Sequence, residues 1–402
     1  MKKLLAFIVT GCLAIGLSAC GTAEDVPVPP TVINDSTPSQ IATSERITQT
    51  LQPVGATDTM HSVSLPSIQD TFCAADGTVL FSLSHQNVRL TLDSPVIAEA
   101  VMADLLTRSA PFLENASHIK SQAKADYQGN EYWSEYFIDI SYTPLRLDQA
   151  VLSLFGNFSS YAGGPHPSLV TDSVTYDLST GELIYLDEIL DPASSADTLF
   201  QLLKKQLSAQ EDDLYYDYED ALRDRFTGEL HSIRTWYFSR NGLCFHFAPY
   251  DIAPYSSGTI IAEIPYSELS GVLLEKYMPV EVPDATGSMY AEAFIDDDHE
   301  RFTNIVDVPL DKKGQEILLY SDAVVTDVRI ETGTRYSETD QYIAVSTVFA
   351  ADTMHIGNAI HITADLMNGN SELRLIYRSE GKEYSAFITY DTAGDSILLT
   401  HG

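Results

Sequence analysis

The chain has 402 residues, with 23 Lys and Arg against 57 Asp and Glu and a formal net charge of −34. So acidic a surface repels polyanions, which excludes nucleic acid and bare anionic lipid as ligands and favours a basic partner, a cation, or solubility alone. Length and an apolar share of 44% suffice for two cores.

Lys2 and Lys3 precede the apolar run "LLAFIVTGCLAIGL", which is too short to span a bilayer comfortably, so residues 1–19 read as a signal peptide. The "LSAC" ending at Cys20 resembles the lipobox of bacterial lipoproteins. That resemblance implies cleavage before Cys20, lipid on its sulfur, and a mature chain anchored on the extracellular face of the cell membrane. An ordinary secretory signal is the other reading. Without Lys2 and Lys3 the mature chain has 21 basic against 57 acidic residues, a charge of −36. Residues 20–60 are rich in Pro, Ser and Thr and lack an apolar period, as a lipid-anchored tether would. Of four cysteines, Cys12 leaves with the signal and Cys20 carries the lipid. Cys73 and Cys244 either form a disulfide or remain separate thiols.

Residues 61–280 mix two periods. From Phe72 to Asp93 the alternation turns at "ADG" and "HQN", giving short paired strands. Ser94 and Pro95 then cap a helix carrying Val96, Ala100 and Leu105. Tyr136, Ile138 and Ile140 return to strand spacing, a second strand runs to Phe158, and "SVTYDLSTGELIYL" predicts a hairpin turning at "STGE". Helix follows on both sides of Pro192, and "EDDLYYDYEDALRDRF" reads as helix or exposed loop. Two strands around Asn241-Gly242 and one running into a short helix close the unit. The fold class predicted is α+β, an antiparallel sheet with packed helices. Residues 281–402 carry strand candidates separated by "MNGN" and "SEGK", with almost no helical pattern. They predict a separate all-β domain, a sandwich or barrel.

The common catalytic constellations are missing from the sequence. It has no "HExxH", paired "CxxC", Walker loop or "GxSxG". "SQAK", Ser121 to Lys124, has no "KTG" to complete it, His355 and His361 fit no zinc spacing, and "FIDDDHE" lacks the ligand order of a calcium loop. No metal, cofactor or catalytic residue is therefore assigned. An unrecognised Asp/Glu pair serving glycan hydrolysis stays open, because 57 acidic residues supply many pairs.

"YAGGPHP", Tyr161 to Pro167, follows a strand. Gly163 and Gly164 allow backbone angles closed to other residues, while Pro165 and Pro167 stiffen the bend around His166. A structural corner, a binding loop and a catalytic histidine are the three readings.

Together with "TYDLSTGELIYLDEIL" and "LCFHFAPYDIAPYSSGTIIAEIPYSEL", this loop resembles the extracellular module of RsiV-type anti-sigma factors over roughly residues 70–275. Matched positions are Gly163, Gly164, His166 and Pro167, then Asp177, Thr180 and Gly181, then Tyr250, Pro254, Tyr255 and Gly258. The resemblance implies an α+β fold, also found beside peptidoglycan deacetylase domains. In the family's namesake the ectodomain binds lysozyme, which exposes the protein to proteolysis that frees a sigma factor. Here a lipobox and tether replace the sigma-binding segment and transmembrane helix, Pro165 replaces a small residue, and no deacetylase motif occurs, so anti-sigma activity is not expected. The expectation is a non-catalytic, membrane-anchored lipoprotein of a Gram-positive cell envelope. Its partner would be a peptidoglycan fragment or a basic protein such as lysozyme, with Tyr161, Gly163, Gly164, His166, Pro167, Tyr250 and Tyr255 as ligand-binding candidates. The alternatives are an envelope glycan hydrolase and a structural docking lipoprotein.

Overall fold

The computed structural model describes residues 59–402 apart from 130–131, 228–229, 281, 283, 337–340, 368–371 and 402. The signal peptide, Cys20 and the tether as far as residue 58 lie outside the described residues. The chain opens with β1 (Ser62–Ser64), β2 (Ser67–Cys73), β3 (Val79–Gln86) and β4 (Arg89–Thr91). β2 and β3 pair antiparallel through the predicted turn, where Gly77 takes φ 89°. Helix α1 (Pro95–Asp126) starts where Ser94 Oγ accepts from the Ile97 N–H at 3.5 Å and Pro95 opens the first turn. Strands β5 (Tyr136–Leu147), β6 (Val151–Tyr161) and β7 (Ser168–Asp177) complete a five-stranded sheet, ordered β2-β3-β5-β6-β7. Its one parallel step, β3 to β5, requires a crossover, which α1 supplies. Ile138, Ile140, Tyr142, Leu154 and Phe158 share one core with Val101, Leu105 and Ile119 of α1.

The "STGE" turn closes with Gly181 N–H donating to Asp177 O at 2.7 Å. Its return strand is reduced to one bridge, Tyr176 to Leu183, because the chain then turns into the next unit. Helices α2 (Ala196–Leu207) and α3 (Tyr218–Thr227) pack with β8 (Trp236–Phe238), β9 (Gly242–Phe247), β10 (Ile260–Pro265) and the single turn α4 (Tyr266–Leu269). The three strands form a sheet ordered β10-β9-β8, and Leu199, Leu203, Leu222, Phe245, Phe247 and Ile264 fill its core. Arg146, 4% exposed, ties the two units. It donates to Asp148 Oδ2, Tyr266 Oη and Tyr277 O, each at 2.6 Å.

The remainder comprises β11 (Met289–Ala293), α5 (Asp298–Arg301), β12 (Asn304–Pro309), β13 (Gln315–Ser321), β14 (Val325–Tyr336), β15 (Gln341–Met354), β16 (Asn358–Ala364), β17 (Glu372–Ser379), β18 (Lys382–Asp391) and β19 (Ser396–His401). A four-stranded sheet, β11-β13-β16-β12, faces a seven-stranded one, β19-β18-β17-β14-β15-β1-β4. Ile317, Leu319, Ile360 and Ile362 of the first meet Val328, Ile330, Phe349 and Leu375 of the second in one core, which makes a sandwich. β1 and β4 come from before residue 92, so the larger sheet draws two strands from the other side of residue 280. The fold is thus the expected α+β unit with antiparallel sheets, followed by an all-β region. Cys73 is exposed and Cys244 buried, and both are free thiols. Burial pushes the Cys244 thiol up to about 12. Among the described residues no helix is long and apolar enough to cross a membrane.

Candidate functional site

The bend between β6 and β7 is built by its glycines. Gly163 has φ 89° and Gly164 φ 109°, in the region that favours glycine. A Cβ on Gly163 would lie 2.5 Å from Tyr136 Oη, whereas one on Gly164 would meet nothing within 4 Å. Tyr136 is fixed there by its hydroxyl, which donates to Asp126 Oδ2 at 2.9 Å. Tyr161 Oη donates to Gly164 O at 2.9 Å and Gln122 Nε2 to Ala162 O at 3.2 Å, so the last turn of α1 and the end of β6 both hold the loop. Behind it the rings of Tyr127, Trp133, Tyr136 and Tyr161 stand in sequence, with centroids 5.4, 5.0 and 5.6 Å apart. This aromatic row backs the loop with close ring contacts.

His166 projects from this support into solvent. Its Nδ1 lies 3.0 Å from Pro167 O, and its ring is 6.1 Å from Tyr255, which in turn is 5.7 Å from Tyr250. Tyr250 and Tyr255 come from the "PYDIAPY" corner between β9 and β10. There the Tyr250 N–H donates to Ala253 O at 2.9 Å and the Ala248 N–H to Asp251 Oδ2 at 3.0 Å. Tyr250 has φ 75°, a conformation that costs an aromatic residue about 1–3 kcal/mol. The structure therefore brings together His166, Tyr250 and Tyr255 from corners more than eighty positions apart, and leaves them exposed. Tyr250 and Tyr255 are 69% and 46% accessible. Gly163, Gly164 and Tyr161 shape the loop beneath them. Among the described residues no carboxylate or hydroxyl side chain pairs with His166, and no group of three His, Cys, Asp or Glu side chains could hold a metal ion.

Other motifs find structural places. Ser121 Oγ donates to Ser117 O within α1. His361 lies between Asp307 at 2.8 Å and Glu316 at 2.5 Å and stacks on Phe294. Asp298 of "FIDDDHE" is fully buried, caps the Ile295 N–H at 2.8 Å and accepts from Arg301.

The sequence reading missed a polar junction between the two α+β units. Ser173 Oγ donates to Arg234 O at 2.8 Å and lies 2.8 Å from His246 Nε2. A serine hydroxyl has one proton, so His246 is the donor of the second bond and carries its hydrogen on Nε2. Burial pushes His246 down to about 4, which leaves it neutral. The local signal was slight: Ser173 lies in a strand run and His246 inside "LCFHF".

Fold and corner together define an α+β sheet protein with a supported, exposed aromatic surface, joined to a β-sandwich. Residues 187–267, from the turn after the hairpin into α4, match the family model described as "Protein of unknown function (DUF3298)". Two solved structures carry the same family name. One, from Bacteroides fragilis, is 20% identical with a TM-score of 0.38, covering 54% of this chain and 94% of its own. The other, from Pseudomonas aeruginosa PAO1, is 14% identical with a TM-score of 0.39, covering 56% of this chain and 99% of its own. No curated protein matches the sequence.

Proposed function

We propose that this chain is a non-catalytic binding lipoprotein, held on the extracellular face of a Gram-positive cell membrane by lipid on Cys20, that engages a cell-envelope ligand through the His166, Tyr250 and Tyr255 surface. The observation that carries this reading is the aromatic cluster itself, assembled from two distant corners with Tyr250 kept in a costly backbone conformation. Strain of that kind persists where surrounding structure enforces it, and such places concentrate at binding sites. A basic protein of the lysozyme type is the leading partner. The chain's charge of −34 speeds encounter with a cation, and exposed tyrosines are enriched where proteins bind one another. RsiV-like proteins carry DUF3298, which agrees with that choice. A peptidoglycan-type glycan is the second reading, favoured by rings free to stack on sugar faces.

The test is titration of the full chain in detergent with lysozyme and, separately, with soluble peptidoglycan fragments, at low and at moderate salt. The reading expects saturable binding that survives moderate salt and weakens at least about tenfold in Tyr250→Ala, as for a central interface aromatic. Binding that vanishes with salt, or is untouched by Tyr250→Ala and Tyr255→Ala, would remove the corner from the function.

A further inference from the structure

We propose that the junction between the two α+β units holds a second ligand site, a cavity that takes the carboxylate of a small molecule. The cavity has a volume of about 220 Å³ and is lined by Arg108 of α1, Asp172 and Ser173 of β7, Leu183, and Arg234 and Trp236 at the start of β8. This is below the usual ~300 Å³ of drug-sized sites, and suits a single sugar or a dipeptide. It is separate from the corner, so binding of lysozyme there and of a carboxylate here can fail independently.

The charges of the cavity differ from those of the rest of the chain. Arg108 donates through Nε to Asp104 at 2.7 Å and through Nη1 to Asp172 at 2.9 Å, so the acidic groups at the wall are already committed. Tyr176 Oη also donates to Asp104 Oδ2, at 2.7 Å. His246 behind the wall is neutral. Arg234 is the remaining cation, and among the described residues no carboxylate pairs with it. Its guanidinium instead lies 4.1 Å over the Tyr185 ring, which is stacked on His231 at 3.7 Å. Arg234 is thus an exposed cation that faces no carboxylate partner among the described residues, in a chain where acidic residues outnumber basic ones 57 to 23.

The Tyr185 ring positions the guanidinium, no side-chain acceptor among the described residues takes its N–H groups, and such donors match a carboxylate in bidentate fashion. The backbone beside it is held too, because Ser173 Oγ takes the Arg234 carbonyl. Trp236, 4% exposed, gives the cavity an apolar wall for the body of the ligand. A sugar acid or a peptide C-terminus would supply the carboxylate.

Saturation-transfer NMR and titration of the full chain distinguish the sources with three probes: N-acetylmuramic acid, D-alanyl-D-alanine and, as the uncharged control, N-acetylglucosamine. At least one acid should bind roughly 10–100-fold more tightly than N-acetylglucosamine, the range for a hydrogen bond to a charged group. Arg234→Ala should erase that difference with thermal unfolding unchanged, and Arg234→Lys, which keeps the charge but not the fork, should restore only part of it. Equal binding of acids and control, no binding of either acid, or acid binding unaffected by Arg234→Ala would each overturn the proposal.

Discussion

The α+β region and the β-sandwich both pair most of their charges, and they differ in which groups they leave open. In the sandwich, charged side chains on the sheet faces find one another: Glu331 accepts from Arg374 at 2.7 Å, Glu383 from Arg329 at 2.6 Å, and His361 sits between Asp307 and Glu316. In the α+β region, the rings of Tyr250, Tyr255 and His166 and the guanidinium of Arg234 are held in place yet left without a polar partner for their outer faces. A surface whose charges are mutually satisfied has little to offer a ligand, whereas groups fixed by their supports and left open are what recognition requires.

The comparison breaks hardest at Arg146, where the α+β region does bury an ion pair. Arg146→Ala removes the ion pair to Asp148 and the bonds to Tyr266 and Tyr277, and a loss of about 3 kcal/mol is expected in urea unfolding. Glu383→Ala, which removes an exposed carboxylate from Arg329 on the sandwich, should cost under about 1 kcal/mol. Similar losses for the two variants would show that the inner pair does not join the units.

The two adjacent glycines of the corner sharpen the contrast between support and display. Gly163→Ala meets Tyr136 Oη as well as an unfavourable φ, while Gly164→Ala meets the φ alone. A stability loss of about 1–3 kcal/mol at Gly163, and a smaller one at Gly164, is the expected order. The reverse order would mean that the aromatic row does not back the loop.

Two buried groups, one in each region, oppose each other in pH response. Burial, with Asp148 and Asp327 nearby, pushes Asp352 of β15 up to about 7 from 3.8. Its contribution to stability is full below about pH 4 and lost as pH rises towards 7. His246, lowered to about 4 from 6.5 by burial, contributes fully above about pH 6.5 and loses that as pH falls through 4. Denaturant midpoints between those limits should show Asp352→Asn removing the falling slope and His246→Gln removing the rising one. Variants that leave both slopes unchanged would show that other groups set them.

The smallest effect on stability is expected at His166, whose ring is exposed and, among the described residues, bonded only to Pro167 O. His166→Ala should change unfolding by under about 0.5 kcal/mol while weakening ligand binding at the corner. A large stability loss would return His166 to a structural role.

Much of this was legible in the chain itself. Ser94-Pro95 announced α1, the "ADG" and "STGE" turns fell where strands reverse, and the loss of helical period after residue 280 foretold an all-β region, because caps, turns and periodicity are local properties. The resemblance built on "GGPHP" and "PYDIAPY" also pointed to His166, Tyr250 and Tyr255. Tertiary structure alone decided what those residues became. Strands of three residues such as β1 and β4 carry too little pattern to name their partners, so the place of β1 beside β15 and of β4 beside β1 depended on which sheet edge was open. The exposure of three rings as one surface, and the placing of Arg234 over Tyr185 beside Arg108 and Ser173, join segments 49 to 126 positions apart, and no local period encodes a contact across that distance.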